Sequence, residues 1–493
     1  MEDEDGTLKN IHLKRIVAPL GGLILLVILF LVFNSNSLDN ESGVASPTMG
    51  QALLNATAIR TEMPLDSATE PSEPMRVELA ETPSVNPSGQ KVVFWHVWYS
   101  DPAKSGMDAL VNEFNAINEW GITVEALDQG SYGDVEDLLN AGARSGDLPD
   151  LVVGYPFTLA RWYSLGILTD LNDFLSHPFW GFLLDDMEDF FELPFTATES
   201  VESYRFGLPI SQSLEVFFYN HTWGQELGFD SPPSSPQEFK EQACAAMEAN
   251  ATDEDPDNDG TGGYVLYPGA SQVGAWAFAY GGTHLSANGS AYQFTTPEWE
   301  TTVEFLKDLW DEGCAFSTEE YPNTEFATRK ALLINSSSIG LPYQSKAFRE
   351  SESKDDWIVI PFPGQDRLVV NAYLQSVGIA KSTPEQELAT WLFLKWFMAP
   401  EQQAKWAQAS GYYPTRASAV PLLDTYSEEN PQWASGLELL PYSFVEPAIA
   451  SWSSVRGLLQ DYFSEMIFGP VELIPDLLEE LEEAAAEMME EMP

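Results

Sequence analysis

The stretch DEDPDNDGTGG, Asp253 to Gly263, is where residue type and spacing point most directly to chemistry. Asp255, Asp257 and Asp259 alternate as the ligands of a calcium loop do, Gly260 sits where such a loop turns sharply, and Thr261 follows with a backbone carbonyl. Leu266 stands where the bidentate glutamate belongs. The stretch therefore reads either as a calcium site completed by a carboxylate from elsewhere or as a solvated acidic turn. Cys244 and Cys314 are the only cysteines, one on an expected helix and one just past the end of the next long helix. In an oxidising compartment they are expected to be joined, the alternative being two buried thiols.

Little else in the sequence suggests catalysis. The histidines, His12, His96, His177, His221 and His284, have no HExxH or other metal-binding spacing. Neither a GxSxG elbow nor a Gly-Lys pair occurs, which leaves a nucleophile elbow and a P-loop unsupported. With 76 acidic residues, paired carboxylates carry no information, and a glycosidase, which needs two of them across a cleft, stays open.

The 76 acidic residues face 23 basic ones, a formal charge of −53 over 493 residues. That field repels polyanions and argues against nucleic acid as a partner. A composition 44% hydrophobic and 12% aromatic is that of a chain with one large or two ordinary cores.

Ahead of these cores, Ile16 to Phe33 is uncharged and apolar, long enough to span a bilayer. Lys9, Lys14 and Arg15 precede it and Asp39 and Glu41 follow, so residues 1–15 are expected in the cytoplasm and the rest outside. An uncleaved anchor is the preferred reading over a cleaved signal peptide, whose apolar core would be shorter and end in a small-residue site. Residues 34–90, rich in Ser, Thr, Pro and Glu, read as a disordered linker.

From Lys91 the pattern changes. KVVFWHVW, ITVEAL and DLVVGY read as strands separated by helices over Asp101–Asn118 and from Tyr132, the order of a parallel sheet with crossover helices. Ligands of such sheets sit beyond the carboxyl ends of the strands, here Trp95 to Tyr99, the loop around Tyr132, and Tyr155. RFGLPISQSLEVFFYN, Arg205 to Asn220, reads as a crossing into a second half, and WIVIPFPG after Lys354 as the return. Ser235 and Thr296 start two helices downstream, each with proline in the first turn. The expected division is 91–208 with 362–410 in one lobe, 209–361 with 411–475 in the other, and 476–493 as an acidic tail.

Taken in order, FWHVW, SGDLPDLVVGY, WYSLGILTDL, GLPIS with FFYN, AYGG before TTPEWETTVEFLKDLWDEG, GLPY, VGIA and ASGYYPTR resemble extracellular solute-binding proteins of family 1. These are the maltose-binding-protein-like receptors of ABC importers. The resemblance covers residues 91 to about 470; the family's lipobox cysteine is absent. It implies a two-lobed α/β fold of the periplasmic-binding-protein type, with discontinuous lobes that close on a sugar.

Sugars offer apolar CH faces to aromatic rings and hydroxyls to paired donors and acceptors. By resemblance to the family's cleft positions the candidate ligand residues are Trp95, Tyr132, Gln212, Trp276, Tyr343, Tyr412 and Trp452, with Gly281 and Gly282 admitting a close backbone approach. Arg161 and Arg416 could hold an anionic group, but structural ion pairs are expected of them. The expected function is delivery of a sugar or oligosaccharide to the permease subunits of an ABC transporter. The protein is not expected to be an enzyme or to need a cofactor, a structural calcium ion aside. A surface-anchored carbohydrate-active enzyme and an adhesive surface protein are the alternatives.

Overall fold

The structure, a computed structural model, describes residues 85–200, 203–365 and 367–492. The stretch Ile16–Phe33 and the linker up to residue 84 lie outside the described residues. Among the described residues no helix is long and apolar enough to cross a membrane.

Eleven strands form the sheet: β1 (Lys91–His96), β2 (Thr123–Asp128), β3 (Leu151–Gly154), β4 (Leu208–Asn220), β5 (Gly262–Val265), β6 (Ala315–Phe316), β7 (Ala331–Ser337), β8 (Trp357–Ile360), β9 (Phe362–Pro363), β10 (Leu368–Ile379) and β11 (Ser443–Val445). The main order is β2-β1-β3-β10-β4-β7-β5-β6. β1 runs parallel to β2 and β3, as the strand–helix alternation predicts. The connecting helix Ala103–Ile117 buries Met107, Leu110, Val111 and Phe114, one face at helical spacing. Its Asn115 is fastened to β2 by two hydrogen bonds, Nδ2 to the Val124 carbonyl at 2.9 Å and Oδ1 from the Val124 amide at 2.7 Å. Ser131 and Asp134 form a capping box at the start of the next helix, Tyr132–Ser145.

β4 and β10 join this parallel half to the other, in which β5 runs parallel to β6 and β7. The two long strands are antiparallel to each other, with Asn371 opposite Glu215 and Val377 opposite Leu208. β4 continues into pairing with β7 and β8, and the far end of β10 pairs with β3. Pro209 has no N–H to give a ladder, and the register shifts there: Gln375 faces Ser211, Ser376 faces Pro209, and Ile210 is the extra residue. The carbonyls that the bulge frees are taken up by side chains. Thr415 Oγ1 donates to Pro209 at 2.8 Å and Gln403 Nε2 to Ile210 at 3.0 Å.

Two expectations need correcting. The return crossing was expected in Ile360–Gly364, but β8 and β9 remain beside β4 and the start of β10. The return is β10 itself. Asn371, Gln375 and Ser376 interrupt its apolar pattern, so that only VGIA reads as strand, yet all three are buried between neighbouring strands. Of the expected acidic tail, read as at most a surface helix, residues 476–491 lie in the helix Ile474–Glu491, which buries Ile474, Leu477, Leu478, Leu481 and Ala485. The acids occupy its other face, and Glu482 works inward: its Oε2 accepts from the Phe294 and Thr295 amides at 2.6 and 2.9 Å. These contacts fix the chain just ahead of the helix Pro297–Asp311.

Three apolar clusters result. One surrounds β1–β3 and the helix Pro384–Phe397 with Trp162, Trp391 and Phe393. The largest packs Trp276, Trp299 and Trp452 among the helices that follow β5, together with the C-terminal helix. A third lies around Phe218, Phe326, Trp357 and Trp433. Cys244 and Cys314 are disulfide-bonded, with a sequence separation of 70. In the chain-entropy picture such a loop contributes about 4 kcal/mol. Unreduced, denatured protein should therefore show no free thiol, and urea unfolding of the Cys244→Ser/Cys314→Ser variant should be less stable by about that amount. Two labelled thiols would disprove the bond.

Candidate functional site

The carboxyl ends of β1, β2 and β3 lead into Trp98, Tyr132 and Tyr155, and the two tyrosine rings meet. The Tyr132 and Tyr155 centroids lie 4.3 Å apart, Tyr155 stacks on Phe157 at 5.5 Å, and Tyr373 of β10 lies 6.4 Å from Tyr155. Tyr412, in the turn after the helix Pro400–Ser410, stacks on Trp406 at 6.3 Å, and Trp406 meets Trp98 edge-on at 4.7 Å. Burial, and then the neighbouring Tyr155 and Tyr412, raise the Tyr132 hydroxyl well above the ordinary tyrosine range. Burial likewise raises Tyr412 to about 12. These phenols are neutral donors and acceptors at any physiological pH.

The second half supplies polar groups. Glu215 of β4 is buried, and three neutral donors reach its carboxylate: Gln272 Nε2 at 2.9 Å, Asn335 Nδ2 at 2.7 Å and the Tyr373 hydroxyl at 2.8 Å. Asn335 is oriented in turn by the Tyr264 hydroxyl, which donates to its Oδ1 at 2.8 Å. Burial raises the Glu215 carboxyl and the three hydrogen bonds oppose that rise.

Glu446, just after β11, is the other buried carboxylate of the region. It is ion-paired with Arg456 and accepts from Ser271 Oγ at 2.5 Å, Trp452 Nε1 at 2.8 Å and Asn371 Nδ2 at 3.1 Å. Burial pushes this carboxyl up, but the Arg456 charge and the donors around it outweigh burial and bring it down to about 2. Between Tyr155–Phe157 on one side and Ala372–Leu374, Val445, Glu446 and Arg456 on the other lies a cavity of about 20 Å³, room for little more than one water.

The structure gathers some of the residues expected at a ligand site and disperses others. Tyr132 and Tyr412 are in the ring cluster, with exposed Tyr343 near Tyr412. Trp452 lies one layer behind, holding Glu446. Trp276 is fully buried among Phe217, Phe239, Phe305 and Phe362, a core residue. Trp95 packs into the cluster around β1. Gln212 donates to the Pro414 carbonyl at 2.9 Å and pairs through its backbone with Tyr413, tying β4 to the 412–416 segment. Gly281, at φ +98°, and Gly282 end the helix Ala270–Ala279 by returning their amides to Phe278 and Ala277. Arg161 pairs with Glu136 and Arg416 with Asp189, the structural role expected of both.

The residues that sequence reasoning passed over are Glu215, Gln272, Asn335, Tyr373, Gln375, Glu446 and Arg456. For Glu215 and Asn335 the signal is a polar residue inside an otherwise apolar strand, as in LEVFFYN and ALLINSS. The Asp-rich loop, in contrast, is occupied with itself. Asp255 Oδ1 accepts from the Asp257 amide at 3.1 Å, Thr261 Oγ1 donates to the Asn258 carbonyl at 2.6 Å, and Lys330 Nζ donates to the Asp257 carbonyl at 2.9 Å. Among the described residues the carboxylates of Asp255, Asp257 and Asp259 do not converge as metal ligands must, and an ammonium faces the carbonyl between them.

Two buried imidazoles give a pH dependence. Burial lowers His96 from 6.5 to about 4 against the pull of Asp128, and lowers His284 from 6.5 to about 4 against that of Glu446. His284 sits among Phe278, Trp299 and Trp452, and neither ring nitrogen has a hydrogen-bond partner. The unfolded chain takes up these protons near pH 6.5 and the folded chain resists them, so stability is full above 6.5 and lost as pH falls toward 4. Each histidine accounts for up to roughly 3 kcal/mol of that loss. Thermal melting across this window should show the decline, and His284→Leu should flatten it; an unchanged slope would clear His284.

A profile of the bacterial extracellular solute-binding proteins matches residues 109–435. A binding protein of Brucella abortus (strain 2308) is 21% identical over 324 residues, covering 63% of this chain and 74% of its own. Among solved structures, the cyclic alpha-maltosyl-1,6-maltose binding protein from Arthrobacter globiformis superposes with a TM-score of 0.70 at 21% identity, over 81% of this chain and 99% of its own. The sugar-binding protein MalE from Xanthomonas citri gives 0.70 at 17% identity, over 82% and 98%. The shared architecture is the two-lobed α/β fold, and the chain belongs to the bacterial extracellular solute-binding protein family.

Proposed function

We propose that this protein is a surface-tethered receptor that binds a sugar or oligosaccharide between its lobes and delivers it to the permease subunits of an ABC importer. The arrangement of Tyr132, Tyr155 and Tyr412 opposite Gln272, Asn335 and Tyr373 carries the reading. Rings on one side and oriented amides and hydroxyls on the other are what a saccharide needs: stacking for its CH faces, directional partners for its hydroxyls. The Arthrobacter globiformis and Xanthomonas citri proteins, named for the sugars they bind, support it.

No saccharide fits a gap of about 20 Å³, so binding requires the lobes to part and close again, the strands β4 and β10 serving as the flexible link. Closure excludes water and strengthens each hydroxyl contact, and it offers the permease a surface that exists in the loaded state. The acts asked of the protein are capture and release, not bond cleavage. The uncharged stretch Ile16–Phe33 and the polar linker behind it support a single-pass tether with the globular part outside the cell.

Titration calorimetry with maltooligosaccharides should show binding, and the sugar should be recovered uncleaved. Tyr155→Ala should weaken binding by about tenfold or more, about 1.4 kcal/mol. Trp276→Ala should instead lower stability by about 3–5 kcal/mol through the cavity it leaves. Cleaved sugar, or unchanged affinity in the Tyr155 variant, would contradict the proposal. Separately, cell fractionation should find the mature chain with the membrane, and an N-terminus beginning after Phe33 would show that the tether is cut.

A further inference from the structure

We infer that the carboxylate of Glu215 holds an ammonium group of the bound solute, so that the solute is an amino-bearing saccharide; this rests on the saccharide reading above and adds a charge to it. The two buried carboxylates of the site differ in one respect. Glu446 has its cation, Arg456. Glu215 has none: among the described residues no Lys or Arg is ion-paired with it, and three neutral groups reach it.

The hydrogen bonds favour its ionised form. Gln272 and Asn335 present amide N–H groups, and the Asn335 orientation is set because its oxygen already accepts from Tyr264. Burial raises the carboxyl, the three donors oppose that rise, and a cation at the open oxygen would hold the anion. Oε1 accepts from both amides and is full, whereas Oε2 accepts only from Tyr373 and keeps a lone pair. An unpaired carboxylate out of water is costly, and a cation that reaches the open lone pair relieves the cost where a neutral hydroxyl does so only in part.

Tyrosines stand near this carboxylate. Tyr373 donates to it, and Tyr321 lies near enough for the Glu215 charge, after burial, to raise its hydroxyl. Rings around an ammonium add cation–π attraction. Arg456, the cation that could repel an amine, is neutralised by Glu446. An anionic solute would meet an unpaired carboxylate and is disfavoured.

The test is calorimetry on the full chain with three probes: a glucosamine disaccharide with free amines, its N-acetylated counterpart, and spermidine. The free-amine sugar should bind at least about tenfold more tightly than the acetylated one. That preference should fade between about pH 6.5 and about pH 9, as the amine loses its proton. In Glu215→Gln the ratio of the two affinities should fall toward one; if the variant does not fold, the pH profile of the natural protein decides. Equal affinities, or a ratio unmoved by the substitution, would overturn the inference and leave the saccharide reading standing. Spermidine bound without either sugar would uphold the ammonium site and remove the saccharide. Silence toward all three would count against both.

Discussion

The antiparallel pairing of β4 with β10 is the contact on which the rest of the molecule hangs. β4 is buried along its whole length, and β10 over all but its first residues and Tyr373. β10 gives its far end to β3, β4 gives its far end to β7 and β8, and the two pair with each other in between. Buried strands must satisfy every backbone group. The bulge at Ile210 would leave carbonyls unpaired, and Gln403 and Thr415 supply the missing donors from the segments that follow β10. The same two strands carry Glu215 and Tyr373, so this side of the site is inherited from the crossing.

Local pattern made the first half of the fold readable. Alternating strands and helices from Lys91 onward and proline after Ser235 and Thr296 each have a local physical cause, and these elements formed close to their expected places. β10 was legible only at its end, because Asn371 and Gln375 are buried by partners more than 70 residues away in the chain, Glu446 and Ser211. The C-terminal helix was masked by composition. Its acids drew attention away from Ile474, Leu477, Leu478 and Leu481, which recur at helical spacing and fill the largest core.

The site was legible in part for a related reason. A ring at the carboxyl end of a parallel strand, such as Tyr132 or Tyr155, is placed by topology, and topology follows from the pattern. Trp276 precedes two glycines in much the same way as a cleft residue would, but the helix that carries it turns its indole toward Phe217 and Phe239. Aromatic type alone does not separate a stacking platform from a core residue. Buried polar residues do so better, because a carboxylate such as Glu215 is tolerated in a strand only where donors gather around it.

The sheet has two outer edges, β2 and β6, and an open edge is a template on which a second chain can pair. β6 is only two residues long and starts directly after Cys314, whose disulfide anchors it to the helix Pro236–Thr252. On β2, Thr123, Glu125, Leu127 and Asp128 point outward, with Glu125 held by Lys91 at 2.5 Å. One edge is thus too short to extend and covalently anchored, the other is studded with charge. The disulfide that stiffens the fold therefore also guards it against joining sheet to sheet with its own copies, a hazard for any protein exposed outside the cell without chaperones at hand.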